Sequence, residues 1–247
     1  MTLEISNCTF SYGHRPRVFE DLNLEFSSGR TVLLGPNGAG KSTLLSLCAD
    51  VFRPIRGKIS LNGLSPASPR SKRAYRATVA WLPQQMGFFP GLSVREHVAY
   101  VGWLKGMNRA DAWDDSHGAL ERVGLLDKGS DAVKTLSGGQ LRRMGIAGAL
   151  VHQAEVLLLD EPTAGLDPNQ RNRFRKLLLD LPDEVHAIVS THQIEDVHDV
   201  FDRITVLDRG SAVYSDAVSN FINRSSIGAT LPERVANSYA DLIEDEA

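Results

Sequence analysis

The sequence predicts an α/β fold in which helices flank a parallel sheet, with an all-helical insert in the middle of the chain. In the last third, short apolar runs at residues 156–159 and 185–189 alternate with segments of helical periodicity. That alternation is typical of a parallel sheet covered by helices. Residues 85–136 show little strand signal, which indicates the helical insert.

The first third of the chain reads mainly as strands. Residues 22–26 alternate between apolar and polar side chains, and a Ser-Ser-Gly turn follows them. Residues 31–34 form an apolar run that enters a glycine-rich turn, as a buried strand does. A helix-like segment at 42–48 follows that turn. Residues 58–61 lie between two glycine turns and predict a further strand.

The middle and last parts carry helix start signals. Ser93 and Glu96 have the spacing of a capping box and predict a helix to about Lys105. A second helix is expected from Asn108 to Val123. Asp167 is positioned to cap a helix whose first residue is Pro168, where a missing N–H has little cost. The apolar face of that helix comprises Phe174, Leu177, Leu178 and Leu181.

Beyond residue 189 the pattern predicts three further elements. A short helix should place Ile194, Val197 and Phe201 on one side. Residues 203–214 read as a hairpin around an Asp-Arg-Gly turn. A last short helix is expected at 231–243.

Composition and charge exclude several classes of protein. The 247 residues include 27 Lys and Arg against 30 Asp and Glu, a net charge of −3, which argues against nucleic acid as the partner. The two cysteines are far apart, which excludes a disulfide scaffold or a zinc ribbon. We find neither a signal-peptide pattern nor a run of about 18–20 apolar residues. We therefore expect a soluble cytoplasmic chain that acts at a membrane only through another protein.

The strongest local signal is the glycine-rich turn, which has the form G-x-x-x-x-G-K-S. Glycines let backbone N–H groups turn onto a polyphosphate, and the following helix adds its positive end. Lys41 would neutralise the β and γ phosphates, and the Ser42 hydroxyl would ligate Mg²⁺. The strand before the turn and the helix after it disfavour a chance glycine turn. The predicted nucleotide-binding residues are Gly35, Pro36, Asn37, Gly38, Ala39, Gly40, Lys41, Ser42 and Thr43.

A second signal is the pair of carboxylates that follows the apolar run at 156–159. Asp160 stands at the carboxyl end of a predicted strand, where ligands bind in open α/β sheets, and can hold Mg²⁺. Glu161 is then placed to polarise a water molecule for attack on the γ-phosphoryl group. The alternative is an acidic turn after a strand with no role in binding. The presence of a phosphate-binding turn in the same chain disfavours that alternative.

The third signal is the pentapeptide LSGGQ at residues 136–140. Ser137 can cap the next helix, Gln140 completes the spacing of a capping box, and Gly138 and Gly139 expose backbone N–H groups at the positive helix end. Read alone it could be an ordinary helix start. Together with the two sites above, it resembles the signature motif of ATP-binding cassette (ABC) ATPases, the nucleotide-binding subunits of ABC transporters.

This resemblance covers residues 2–220 and implies further roles. Tyr12 would stack on adenine, although a strand tyrosine is the simpler alternative. Gln84 would sense Mg²⁺ and the attacking water, with the neighbouring Gln85 leaving the register open by one residue. Asp167 would lie in a loop at the dimer interface while also capping its helix. His192 would bond the γ-phosphate.

The resemblance also implies a fold and a set of site residues. The fold is a P-loop NTPase (RecA-like) core with an N-terminal antiparallel β subdomain and an α-helical signature subdomain. The ATPase domain spans 1–225, with the core at 1–85 and 151–225 and the helical part at 86–150; a tail follows at 226–247. The catalytic residues would be Glu161, His192, Gln84 and Lys41. The Mg²⁺ ligands would be Ser42, Gln84 and Asp160. The signature residues Ser137, Gly138, Gly139 and Gln140 would contact ATP held by a partner cassette.

The implied partners are ATP, Mg²⁺, a second nucleotide-binding subunit and a membrane permease, at the inner face of the cell membrane. Residues 94–106 resemble exporters with separate membrane subunits. Phe88, Phe89 and Trp103 could line the groove that receives the permease, or could simply pack in the core. The alternative is an ABC ATPase that acts on DNA or ribosomes. Members that act on DNA ends carry long coiled coils, and members that act on ribosomes usually carry two cassettes in one chain. This sequence shows neither feature. No N-K-x-D guanine motif supports a GTPase.

Overall fold

The computed structural model describes residues 1–192, 197–224 and 230–244. Its strands are β1 (Thr2–Ser11), β2 (Arg17–Ser27), β3 (Arg30–Leu34), β4 (Arg56–Leu61), β5 (Val79–Leu82), β6 (Val156–Asp160), β7 (His186–Ser190), β8 (Arg203–Asp208) and β9 (Ser211–Ala217). Its helices are α1 (Lys41–Cys48), α2 (Pro69–Thr78), α3 (Val94–Leu104), α4 (Arg109–Arg122), α5 (Gly138–Leu150), α6 (Pro168–Leu179), α7 (Val197–Val200), α8 (Val218–Ile222) and α9 (Leu231–Glu244). Short 3₁₀ turns lie at Leu126–Lys128 and Val133–Thr135.

The strands form two sheets. One is antiparallel with the order β2-β1-β4, and the other has the order β5-β6-β7-β3-β8-β9. In the second sheet neighbouring strands run parallel from β5 to β8, and β9 returns antiparallel to β8. The predicted fold class is confirmed: a parallel core sheet, an antiparallel N-terminal sheet and a helical insert. The carboxyl ends of β3, β6 and β7 meet at one edge, where the predicted site residues follow them.

The predicted helix caps are confirmed in atomic detail. Ser93 and Glu96 form the predicted capping box at the start of α3. The helix predicted at 108–123 is α4, and the structure adds that Asn108 is its cap. Asp167 caps α6, with Pro168 as the first helical residue. These caps depend on residues one turn apart, so local spacing is enough to find them. Ile194 lies outside the described residues, whereas Val197 is buried at the start of α7.

Helix α2 and strand β5 were not predicted. Only Tyr75 of α2 is buried, five of its ten residues are exposed, and four of the ten are basic. It therefore shows no apolar stripe, the signal on which a sequence-based helix assignment rests. Its start signal is a capping box between Ser68 and Ser71 with Pro69 as the first helical residue. Strand β5 is only four residues long, Val79–Leu82, and pairs with β6.

The core lies on both faces of the parallel sheet. All five residues of β6 and of β7 are buried, as expected for strands covered on both sides. On one face α3, α4 and α5 extend the core into the helical insert, through residues such as Val98, Leu120 and Met144. Among the described residues, no helix is both long enough and apolar enough to cross a bilayer.

Candidate functional site

The glycine-rich turn connects β3 to α1 and is held tightly by the neighbouring strand. Gly35 has φ +152°, and a Cβ atom there would collide with the carbonyl oxygen of Leu207 at the end of β8. Only glycine permits so close an approach of two backbones. The Lys41 Nζ donates hydrogen bonds to the carbonyl oxygens of Gly35 (2.6 Å) and Pro36 (3.1 Å). An anion bound by the loop would therefore meet the ammonium group inside the loop.

Lys41 is buried, and its charge state reflects two opposing influences. Burial lowers the pKa of the Lys41 ammonium, while the negative charges of Glu161 and Asp160 act in the opposite direction. The two carboxylates at the end of β6 thus supply the counter-charge for the loop lysine. This places the positive and negative groups of the predicted site on the same edge of the sheet.

Ser190, the last residue of β7, holds both carboxylate residues. Its hydroxyl donates to Asp160 Oδ1 (2.6 Å) and accepts from the backbone N–H of Glu161 (3.0 Å). The same N–H also donates to the Ser190 carbonyl oxygen (3.1 Å). Glu161 itself has φ +46°, a left-handed conformation that is uncommon for residues other than glycine. Residues that their neighbours hold in an uncommon backbone conformation are found most often at functional sites.

His192 lies two residues beyond β7 and faces Glu161. The Nδ1 atom of His192 is 3.0 Å from both Oε1 and Oε2 of Glu161. The Glu161 side chain is largely buried, whereas 59 % of the His192 side chain is exposed. The imidazole therefore covers the carboxylate on the side that faces solvent.

These residues surround a cavity of about 330 Å³. It is lined by Leu34, Gly35, Pro36, Asn37, Gln84, Glu161, His192 and Tyr239. The structure thus brings together the loop, the glutamine after β5, the glutamate after β6 and the histidine after β7. Of the two adjacent glutamines, Gln84 is the one that lines the cavity.

Tyr12 lies in a separate aromatic cluster. Its ring is edge-on to Phe10 (centroids 5.0 Å apart) and to Phe52 (5.4 Å). Its hydroxyl is 2.9 Å from the Thr43 hydroxyl, which links the cluster to the first turn of α1. Tyr12 and Phe52 are both partly exposed, so they offer a ring surface to a planar base. Phe52 was not predicted to lie near Tyr12, and only the tertiary structure shows that the two rings are in contact.

The signature residues and Asp167 do not line the cavity. Ser137 caps α5, with its N–H bonded to Gln140 Oε1 (2.9 Å), so the predicted capping box is confirmed. Ser137, Gly138 and Asp167 are exposed. The Gln170 side chain, one turn after Asp167, lies where a Cβ atom of Gly139 would be. Within one chain, these residues form a surface of their own beside the loop before α6.

Arg142, on α5, was missed by sequence reasoning although it connects three parts of the site. Its guanidinium is buried and donates to the carbonyl oxygens of Pro83 (3.0 Å) and Gln84 (2.7 Å). It also donates to the carbonyl oxygens of Asp160 (2.6 Å), Glu161 and Pro162. Burial lowers the pKa of Arg142, and the charges of Asp160 and Glu161 oppose that effect. The sequence signal that could have revealed it is an arginine on the same helix as the buried apolar residues Met144 and Ile146.

The oxygen atoms of Asp160, at the end of β6, and Ser42, on α1, are suitable ligands for a magnesium ion that also binds water and phosphate oxygens. Asp160 is 3 % exposed and the Ser42 hydroxyl is exposed at the start of α1. Across the described ranges, no group of three or more His, Cys, Asp or Glu side chains could hold a metal ion. Mg²⁺ usually takes one or two protein oxygens, with water and phosphate oxygens completing its shell. When bound, Mg²⁺ would neutralise charge on the phosphates.

The comparison with known families decides the identity of the chain. A family model described as ABC transporter matches residues 19–164, more than half of the chain. The chain belongs to the ABC transporter family. The match includes the glycine-rich turn, the signature pentapeptide and both carboxylates after β6. This ABC ATPase therefore binds and hydrolyses ATP, and it is an ATP-binding subunit of the transporter class.

Individual relatives are consistent with this family. The ABC ATPase is 31 % identical over 213 residues to the linearmycin resistance ATP-binding protein LnrL of Bacillus subtilis, covering 85 % of this chain and 68 % of LnrL. It is 33 % identical over 227 residues to the phosphonates import ATP-binding protein PhnC 1 of Ruegeria, covering 87 % of this chain and 88 % of that one. A solved structure of an ATP-binding subunit of an ABC transporter has the same fold, with a TM-score of 0.84 at 23 % identity, covering 98 % of this chain and all of the other.

Proposed function

We propose that this ABC ATPase works as a pair of cassettes that hold Mg²⁺-ATP between them and drive a membrane permease that exports its cargo. The observation that carries the proposal is the division of the predicted site. The loop, Gln84, Glu161 and His192 line one cavity, whereas the signature residues form an exposed surface elsewhere on the chain. A second cassette, arranged head to tail, would bring its signature residues to the open side of that cavity.

The chemistry follows from the groups around the cavity. Glu161 is the general base that takes a proton from the attacking water, and His192 orients the Glu161 carboxylate. Lys41 and the loop N–H groups stabilise the charge that develops on the phosphates. ATP adds contacts that exist only when the two cassettes are closed, so it shifts the population toward closure. Hydrolysis removes the γ-phosphate and lets the pair reopen.

The helical insert carries the surface that we assign to the permease. Beside Gln84, a groove of about 240 Å³ is lined by residues that include Met86, Phe89, Tyr100 and Leu104. Phe89 packs edge-on against Tyr100, and the ring centroids of Tyr100 and Trp103 are 5.7 Å apart. Phe89, Trp103 and Leu104 are about half exposed or more. Exposed apolar surface of this kind, rimmed by polar groups, marks interaction sites.

Arg142 would transmit movement from this groove to the nucleotide. It bonds the carbonyl oxygens of Pro83 and Gln84, which precede the groove, and that of Glu161 at the cavity. A displacement of the groove wall would therefore displace the backbone beside the general base. Export is the direction we favour, because residues 94–106 resemble exporters with separate membrane subunits and LnrL is named a resistance protein.

A co-purification experiment tests the permease partner. The chain is purified by affinity tag from membranes of its own host after mild crosslinking, as wild type, Phe89→Glu or Trp113→Glu. Trp113 is the matched control, since it is an exposed aromatic on α4 that packs against Arg95 and does not line the groove. We expect an integral membrane protein with the wild type and the control, and its loss with Phe89→Glu. Recovery of ribosomes or DNA instead would contradict the proposal.

The paired arrangement has its own test. A Glu161→Gln variant is mixed with ATP and its mass is measured by light scattering. We expect a dimer with ATP and a monomer without it, and Ser137→Arg should abolish the dimer because the bulky cation lies where the partner's nucleotide would dock. A monomer under saturating ATP would refute the head-to-tail arrangement.

A further inference from the structure

The C-terminal helix α9 packs against α7 and α8 beside the nucleotide cavity. Val235 and Ser238 are fully buried, and Tyr239 and Leu242 are partly buried against the same cluster. These positions are three or four residues apart and so share one face of the helix. That face packs against α7 and α8, in the cluster that also contains Leu34 of β3 and Val206 of β8. Helix α9 lies outside residues 19–164, the part matched by the family model.

This anchoring brings Tyr239 to the cavity that holds the catalytic groups. Tyr239 lines the cavity together with Asn37, Gln84, Glu161 and His192. Gln84, Glu161 and His192 are the residues predicted to surround the terminal phosphate of ATP. The phenol of Tyr239 thus belongs to the phosphate end of the site, away from the aromatic cluster around Tyr12.

The end of β8 is held against the phosphate-binding loop. The loop after β8 reaches the phosphate-binding loop, because the Gly210 N–H donates to the Ala39 carbonyl oxygen (3.2 Å). Asp208, at the end of β8, is close enough to Tyr239 to act on its ionisation. Burial first, and then the charge of Asp208, raise the pKa of the Tyr239 phenol. At neutral pH the phenol therefore keeps its proton and is a hydrogen-bond donor.

We infer that Tyr239 is a nucleotide-contacting residue whose phenol donates a hydrogen bond to the terminal phosphate of ATP. A donor in this position distinguishes ATP from ADP, since ADP lacks the acceptor oxygens. The inference makes the C-terminal helix part of the ATP site and gives it a means of responding to the nucleotide. It rests on the nucleotide site described above and does not depend on the membrane partner.

Nucleotide affinity measured by calorimetry tests the inference. The parent is Glu161→Gln, which prevents turnover, and it is compared with Tyr239→Phe in the same background for ATP and for ADP with Mg²⁺ present. We expect the dissociation constant for ATP to rise about ten- to hundredfold, the contribution of one hydrogen bond to a charged group, and that for ADP to change less than twofold. Binding of ADP by the same variant reports that the pocket is intact.

Tyr214→Phe is the matched control, since Tyr214 packs on Phe221 in the same core cluster without lining the cavity. It should leave both affinities unchanged. Equal losses of ATP and ADP affinity in Tyr239→Phe would show a role in packing alone and overturn the inference. Unchanged ATP affinity would overturn it as well. If the parent bound neither nucleotide, the site itself would be wrong, whereas a failed permease pull-down would leave the result for Tyr239 standing.

Discussion

The imidazole of His192 lies against the carboxylate of Glu161, with Nδ1 3.0 Å from each of the two carboxylate oxygens. Contact of one ring nitrogen with both oxygens holds the plane of the carboxylate. The other ring nitrogen, Nε2, lies outside this contact. A hydrogen bond from Nε2 to the phosphate, the role that the resemblance implies, requires a proton on Nε2, because phosphate oxygens only accept.

Replacing the proposed general base should slow turnover strongly without preventing ATP binding. We expect Glu161→Gln to lower steady-state phosphate release about 10²- to 10⁴-fold, because the amide cannot accept the proton of the attacking water. ATP affinity should stay within a few-fold of wild type. Glu155→Gln is the control, since Glu155 is exposed just before β6. Undiminished turnover in Glu161→Gln would assign the base to another residue.

Removing the imidazole should impair catalysis less severely. His192→Ala loses the contact that orients Glu161 and, by the predicted role, a bond to the phosphate. A hydrogen bond to a charged group contributes about 1.5–3 kcal/mol, so kcat should fall about 10- to 100-fold. His14→Ala, at an exposed turn, should match wild type. If His192→Ala retained full activity, the contact with Glu161 would have no catalytic role.

Arg142 should matter for both stability and activity. Arg142→Met leaves buried carbonyl oxygens of Pro83, Gln84 and Asp160 without their donor, and we expect a loss of about 2–4 kcal/mol in the free energy of unfolding. Arg142→Lys should restore only part of it, because an ammonium lacks the planar fork of donors. The measurements are urea unfolding and ATP turnover.

The neighbouring Arg143 is the control for Arg142. It donates to the carbonyl oxygens of Val123 and Gly124 at the end of α4 (2.9 Å each), remote from the carboxylates. Arg143→Met should destabilise the chain while leaving kcat per folded molecule near wild type. Equal effects of both substitutions on kcat would contradict a specific link between Arg142 and the site.

Acid should destabilise the fold through buried histidines. Burial lowers the pKa of His186 to about 4, from an ordinary value near 6.5. The folded chain therefore resists protonation, so the stabilisation is complete above about pH 6.5 and is lost as the pH falls toward 4. His186 alone would account for roughly 2–3 kcal/mol of that change.

His186→Leu tests this attribution, since leucine fills similar space without a titrating group. Unfolding free energies measured between pH 4 and 7 should depend less steeply on pH in the variant. His14→Leu, at an exposed position, should keep the wild-type slope. Parallel pH profiles for His186→Leu and wild type would mean that other groups govern acid sensitivity.

The sequence by itself determined the elements and motifs that depend on local spacing. The strand–turn–helix around Lys41, the capping boxes at Ser93 and Ser137, and the acidic pair after β6 are each defined within a few residues. Their physics is that of one helix turn or one strand end, so a linear pattern contains it. The alternation of strands and helices likewise sufficed for the fold class.

Only the tertiary structure decided which distant side chains complete the site. Arg142 meets the Pro83 carbonyl across 59 positions of the chain, and Ser190 meets Asp160 across 30. Tyr239 enters the cavity from a C-terminal helix that the sequence pattern predicts without assigning it to the site. Such contacts arise because several strands end at one edge of the sheet and helices pack over them. Their partners depend on strand order and helix packing, which local spacing does not encode.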